Sequence, residues 1–481
     1  MVEHSNRGDE TASSSASPSV SLARASVPTH VSGLELKNVD FLRNIICDII
    51  SGGDASALVD ILEDVRPADI ADYFEQLSTD EREAVANLAP QVFTSGVLAE
   101  LVDDVTADVL PNLGAMQISE AVTELESDDA IQLIEELDET QRQEVMQALP
   151  ERAREEVEAG FAFDEETAGR LMQREFVAAP QFWTVGQTID HMRACGEDLP
   201  DLFFDIYIVN PQFHPLGYLP LSTLMRLPRK QVLNACMDAK LTVINPDMDQ
   251  EDVAYLFEKY DLISAPVLDE GGRLSGMITV DDIVEIIHEE NKEDMLALAG
   301  VSDAGVVDTA MSTVRSRAPW LLVNLITAIG ASFVISLFQD NIAQFVALAV
   351  LMPIVASLGG NTGMQTLTVA IRALATRDLT SANAWRVIRR EGSAALINGM
   401  IFAILLAGIT FVWFRNWQLS AVIATALLFN FFCAGLAGIL VPLSLKKVGA
   451  DPAVASSVFV TTVTDVFGFF AFLGLASIFL L

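Results

Sequence analysis

The sequence predicts a multi-domain chain: an α-helical, superhelical N domain, then tandem α/β units, then a five-helix α transmembrane domain. Three observations predict it. The first third carries apolar residues at helical spacing between polar turns. Past about residue 162 the period becomes a mixture of strands and helices. From residue 318 onward, five apolar stretches are long enough to cross a hydrocarbon core.

Residues 1–35, rich in Ser, Ala and Thr, are expected to form a disordered tail. In the helical N domain, 36–160, Leu58-Val59-Asp60-Ile61-Leu62-Glu63-Asp64 and Ala71-Asp72-Tyr73-Phe74-Glu75-Gln76-Leu77 place apolar residues three and four apart, and similar units recur at 118–125, 130–137 and 143–149. Polar turns such as Ser78-Thr79-Asp80 and Ser127-Asp128-Asp129 supply helix caps, so stacked short helices are expected. In the clearer second α/β unit, Thr242-Val243-Ile244 reads as a strand and 249–260 as a helix. Ala265-Pro266-Val267-Leu268 and Leu274–Thr279 read as strands joined by Asp269-Glu270-Gly271-Gly272, and 281–288 opens a closing helix. The first unit repeats the order through Val177, a helix at 185–195, a strand at 205–209 and Leu216-Gly217-Tyr218-Leu219. The apolar spans fall near 318–337, 342–373, 393–414, 419–443 and 453–481.

Of 66 acidic residues only five follow residue 310, whereas ten of the 29 Lys and Arg do. The strongly acidic N-terminal part attracts cations and repels nucleic acid. Arg315 and Arg317, the group Arg372, Arg377, Arg386, Arg389 and Arg390, and the pair Lys446 and Lys447 mark alternate loops; the other two loops hold only Arg415. By the positive-inside rule the N-terminal domains are cytoplasmic and the C-terminus lies outside, in a multi-pass protein of the cell (inner) membrane. No signal peptide is expected. Cys47, Cys195, Cys236 and Cys433 form no CxxC pair, which argues against a disulfide framework or zinc site.

The last span opens with Asp451-Pro452, a helix-start pair. Asp465 lies fourteen residues on, roughly 20 Å along a helix and inside a core about 30 Å thick. A carboxylate there attracts a cation or is a protonated structural group. Span two carries Pro353-Ile354-Val355-Ala356-Ser357-Leu358-Gly359-Gly360-Asn361-Thr362-Gly363-Met364-Gln365, whose proline and glycines are expected to interrupt the helix and free carbonyls toward a pore; the competing role is close packing through small residues. Before span one, Asp281, Asp282, Glu285, Glu289, Glu290, Glu293 and Asp294 stack like charges on a helix, an all-oxygen set suited to Mg²⁺ or Ca²⁺ or else a solvated face. Thr279 and Asp282, in Gly-x-x-Thr-x-x-Asp, are weak candidates for a nucleotide ribose. No nucleophile–base constellation suggests an enzyme.

Beyond residue 36 the chain resembles the MgtE family of magnesium channels. The resemblance rests on the span-two motif above, Arg372-Ala373-Leu374-Ala375-Thr376, Asp451-Pro452-Ala453, Thr462-Val463-Thr464-Asp465-Val466, Thr167-Ala168-Gly169-Arg170-Leu171-Met172, Asp249-Gln250-Glu251-Asp252-Val253-Ala254 and Val280-Asp281-Asp282. It implies CBS domains at 161–233 and 234–290, a connecting plug helix at 291–317 and a membrane domain at 318–481. It also implies a homodimer in membrane lipid whose pore lies at the subunit interface, with Asp465, Asn361, Gly360, Gln365, Thr368 and Thr461 along the path and Asp451 at the cytoplasmic mouth. Regulatory Mg²⁺ would bind Asp282, Glu285, Glu290, Glu293 and Asp294 with Asp129 of the N domain, and nucleotide would bind the CBS domains. Met364 and Ser457 depart from the family, each at a pore-side position that is commonly Asn. The first α/β unit has Asn210-Pro211-Gln212-Phe213-His214-Pro215 in place of an acidic-glycine turn and lacks Thr-x-x-Asp. The expected function is a Mg²⁺-selective channel closed by cytosolic Mg²⁺; an H⁺- or Na⁺-coupled divalent cation exchanger and a membrane-anchored sensor are the alternatives.

Overall fold

A computed structural model describes residues 55–480 with 46, 49 and 52, apart from 64, 197, 198, 201, 302–309 and 381. The expected tail at 1–35 lies outside the described residues. The chain parts into two compact units: residues up to Leu125 with Gln132–Arg154, and Glu126–Ile131 with Glu155 onward.

Short helices build the first region: α1 (Ala55–Leu62), α2 (Pro67–Glu75), α3 (Thr79–Leu88), α4 (Ser95–Ala99), α5 (Asp103–Val109), α6 (Ala115–Glu124), α7 (Ser127–Glu135), α8 (Glu139–Ala148) and α9 (Glu151–Gly160). Each is too short to persist alone, so packing and end caps must hold it. Ser78 and Glu81 form a capping box at α3, and Asp138 accepts from the Thr140 and Gln141 amides at α8. An arginine then repeats one device. Arg82 donates to the Phe74 and Glu75 carbonyls at 2.8 and 2.7 Å, Arg142 to those of Ile134 and Glu135, and Arg154 to those of Met146 and Leu149. In each case the guanidinium closes carbonyls at the end of the preceding helix. A buried leucine stands five residues earlier each time: Leu77, Leu137 and Leu149.

In the second unit α10 (Ala168–Leu171) precedes a three-stranded sheet of β1 (Ala178–Pro180), β2 (Asp205–Val209) and β3 (Pro215–Pro220). β1 runs parallel and β3 antiparallel to the central β2. Helices α11 (Val185–Cys195) and α12 (Leu221–Leu224) cover a core that includes Ile189, Ile206, Leu219 and Leu224. Next come α13 (Gln250–Tyr260), capped by Asp249, and the hairpin β4 (Ser264–Leu268) and β5 (Leu274–Thr279). Gly272, at φ +75°, supplies the left-handed turn residue. The strand expected at Thr242–Ile244 is not one. Ile244 alone bridges Val267, and the next residue that would donate along this parallel ladder is Pro246, which has no N–H.

α14 (Val280–Leu298) closes the second α/β unit and continues beyond it. The single connecting helix expected at 291–317 is therefore divided: its first turns end α14, 302–309 lie outside the described residues, and 310–317 begin α15 (Ala310–Ser336). After the short α16 (Gln339–Gln344) come α17 (Ala347–Ala375), α18 (Ala384–Phe414), α19 (Trp417–Val448) and α20 (Pro452–Phe479). Among the described residues five helices, α15 and α17–α20, are long and apolar enough to cross a membrane. Span two begins at Ala347, later than expected, because the chain leaves helical geometry at Phe345. α17 is also unbroken. Pro353 forfeits one bond near its start, and its glycines serve contact: a Cβ on Gly359 would strike the Asn430 amide, and one on Gly363 would lie 2.6 Å from Val460. α19 packs against α17, α18 and α20 at the centre of the bundle.

Candidate functional site

Asp451 caps α20, its carboxylate accepting from the Ala453 amide at 2.7 Å with Pro452 in the first turn. This carries Asp465 to the middle of the membrane-crossing stretch, where it is half-buried. On α17, Asn361, Gln365 and Thr368 follow one another at i, i+4 and i+7 and are all exposed; Gly360 is half-buried, and Thr461 on α20 is exposed. The Thr368 and Thr461 hydroxyls donate to Met364 and Ser457 carbonyls at 3.0 and 2.8 Å, which leaves their oxygen lone pairs available. α17 and α20 pack against each other, so the polar positions assigned to the path belong to two adjoining helices. Met364 does not share the exposed face of Asn361; it packs half-buried on a cluster containing Leu367, Ile371 and Val460. The same cluster takes in Ala297 and Leu298, so the end of α14 is seated against α17, α19 and α20 near Ile371, Val441 and Ala453.

The acidic residues fall into two groups. In the first, Asp282 and Asp129 adjoin Glu126, Asp128 and Glu175. Burial, then Asp129, Glu175 and Asp282, push the Glu126 carboxyl up to about 7. Burial and the Asp282 charge raise Asp128 well above the usual carboxylate range. Burial also lifts Asp282 to about 6 against the opposing bond from Thr279, whose hydroxyl donates to Asp282 at 2.8 Å. Ser127 and Arg174 tie Glu175 in place, and the Gln173 amide donates to Glu126 at 2.8 Å. Thr279 and Asp282 thus form the capping box of α14. Neither lines the cleft of about 510 Å³ bounded by Asp205, Tyr207, Tyr218, Lys240, Tyr260 and Ser264.

The second group surrounds a cavity of about 750 Å³ between the second α/β unit and the membrane helices, with Glu166, Glu251, Glu290, Glu293, Asp294 and Asp451 on its wall. Burial lifts Glu290 to about 7, with Glu293, Glu251 and Asp249 adding to the rise and a 2.7 Å bond from Gln250 opposing it. Burial also raises Glu293 and Asp294, and the Asp451 charge raises both further. Glu285 is exposed on α14 and does not line the cavity. Among the described residues no three His, Cys, Asp or Glu side chains converge closely enough to hold a bare metal ion.

Sequence reasoning missed several of these residues. Glu126, Glu166, Glu175 and Glu251 lie far in sequence from α14 and join it only through the fold. Arg377, at φ +55°, pairs with Asp252 and lies 4.2 Å from the Tyr255 ring centroid, fastening the α17–α18 loop to α13. Asn430 had a local signal: it is the only polar residue in Leu427-Leu428-Phe429-Asn430-Phe431-Phe432.

Comparisons with known proteins agree with this architecture. Residues 352–475 match the model of the MgtE divalent cation transporter, 65–166 that of the MgtE intracellular N domain, and 231–289 that of the CBS domain. The magnesium transporter MgtE of Thermus thermophilus is 32% identical over 443 residues, covering 90% of this chain and 97% of that protein. The Bacillus subtilis magnesium transporter MgtE is 28% identical over 421 residues, covering 87% and 93%. A crystal structure of the cytosolic domain of the Mg²⁺ channel MgtE in complex with ATP is 32% identical, covering 50% of this chain and 98% of its own, with a TM-score of 0.46. With its N domain, its CBS domain and five membrane-crossing helices in this order, the chain belongs to the MgtE family of magnesium transporters.

Proposed function

We propose that the protein is a Mg²⁺-selective channel of the cell membrane, a homodimer with cytoplasmic N-terminal domains, closed when cytosolic Mg²⁺ binds its acidic surfaces. The observation that carries the reading is the exposed polar face of α17, with Asn361, Gln365 and Thr368, beside Thr461 and Asp465 of α20. Amides and a carboxylate at this depth are costly against lipid. A second copy across a water-filled path gives them a polar neighbour. Mg²⁺ dehydrates reluctantly, so carboxylate, amide and hydroxyl oxygens suit it as a hydrated ion. Asp451, at the start of α20, is the entrance acid on the cytoplasmic side.

The acidic groups fit the gating ion. Their donors are carboxylate oxygens, and Glu126, Asp282 and Glu290 hold their protons more tightly than ordinary carboxyls. Mg²⁺ keeps several waters and uses one or two carboxylates, so carboxylates spread around a cavity suit it. A bound cation supplies the positive charge that offsets this repulsion. Asp282, Glu126 and Asp128 then approach with Asp129 and Glu175, and Glu290, Glu293 and Asp294 stay close to Asp451, which favours the closed arrangement. Glu285 adds charge to the α14 face. The 510 Å³ cleft is the place for nucleotide, in keeping with the ATP held by the related cytosolic domain.

The test is Mg²⁺ flux into liposomes holding the purified chain, wild type beside Asp465→Asn, with Mg²⁺ varied on the CBS side. The expected result is a loss of at least about tenfold in the variant, together with suppression of wild-type flux by Mg²⁺ on that side. Wild-type flux in the variant sinks the pore assignment. A flux that requires a proton or Na⁺ gradient replaces the channel with the exchanger.

A further inference from the structure

Asn430 sits in the middle of α19 and is fully buried among apolar neighbours. Its Nδ2 donates to the Val355 carbonyl of α17 at 2.9 Å, whereas its Oδ1 has no hydrogen-bond partner among the described residues. Two glycines make room for the amide. A Cβ on Gly359 of α17 would collide with it, and one on Gly468 of α20 would lie 2.7 Å from its Nδ2. One side chain therefore touches both helices that carry the proposed path. Gly359 is two residues before Asn361, and Gly468 is three residues after Asp465.

A half-satisfied amide in a low-dielectric interior costs stability, and an apolar residue of similar volume would avoid that cost. Packing alone therefore does not account for Asn430. What the amide adds is geometry. Its bond fixes α19 against α17 at Val355, and its bulk, accepted only by glycines, fixes the approach of α20. We infer that Asn430 is a positioning residue for transport: it sets the register of α17 against α20, and so the placement of Asn361 and Gln365 relative to Asp465. The inference rests on the pore reading of those three residues.

The experiment compares Mg²⁺ and Co²⁺ fluxes in liposomes for wild type, Asn430→Leu, Gly359→Ala and Asp465→Asn, each full-length and monodisperse. A purely structural role lowers the amount of folded protein and scales both fluxes together. A positioning role changes their ratio. Asn430→Leu is expected to change the Mg²⁺/Co²⁺ ratio by about threefold or more, the scale of one interhelical hydrogen bond. Gly359→Ala, which retains Asn430 but displaces its amide, is expected to move the ratio in the same direction. If Asp465→Asn is silent while both other variants keep the wild-type ratio, the Asn430 inference is wrong and the pore reading stands. If Asp465→Asn conducts like wild type, the pore reading fails and the inference falls with it. Should Asn430→Leu not fold, Gly359→Ala alone decides by its ratio.

Discussion

Burial and like charge act on single carboxylates around α14. Glu126 and Glu290 titrate near 7 and Asp282 near 6, against ordinary values of 4.5 and 3.8. Folding raises each pKa, so between its ordinary and raised values the native state binds more protons than the unfolded chain. The stabilisation is fully present below about pH 4 and is lost as pH rises through about 7. In EDTA the melting temperature of the detergent-solubilised chain should therefore fall between about pH 5.5 and pH 8. Added Mg²⁺ should raise it more at the upper end, where the carboxylates are ionised. Equal Mg²⁺ shifts at both pH values would remove electrostatic relief as the basis of cation binding. The positions of Asp282 and Glu290 on α14 were legible from their spacing; their partners were not, because Glu126, Glu175 and Glu251 reach them only by folding.

Helices α2 to α9 depend on one another at their ends. Arg82 is 1% exposed and closes two carbonyls at the end of α2 while pairing with Asp108 at 2.9 Å. Replacing it with Met leaves those groups without the guanidinium, at about 2–4 kcal/mol. Hydrogen exchange should report faster opening of α2 and α3, with a smaller effect for Arg142→Met, whose side chain is half-exposed. Unchanged exchange in Arg82→Met would show that these ends hold without the arginine. At the same scale, α17 shows why proline and glycine misled the reading of span two. Glycine weakens an isolated helix, but here Gly359 and Gly363 admit Asn430 and Val460, and neighbouring helices supply the lost stability.

Across the molecule, the CBS domain at 231–289 meets the membrane helices through opposite charges and one aromatic face. Arg377 pairs with Asp252 beneath the Tyr255 ring, and Lys446 lies near enough to Glu251 to oppose its rise in pKa. Arg377 follows α17, so the contact ties the second α/β unit to a helix of the proposed path. Tyr255→Ala should raise the Mg²⁺ needed for half-closure by about threefold and leave maximal flux unchanged, as expected for a contact made in the closed arrangement. An unaltered Mg²⁺ dependence would make the contact incidental to gating.

Local pattern alone determined the order of the helical, α/β and membrane regions, the cap at Asp451 and the depth of Asp465. Each follows from periodicity, capping chemistry or the length of an apolar run, which are properties of neighbouring residues. It also marked the α14 acids and the polar positions of span two. Only the tertiary structure decided that α17 is continuous, that Met364 packs away from the exposed face of Asn361, and that Ile244 makes a bridge instead of a strand. It alone brought Asn430 between Gly359 and Gly468. These outcomes depend on which distant side chain fills the space beside a residue, and no window of sequence contains that information.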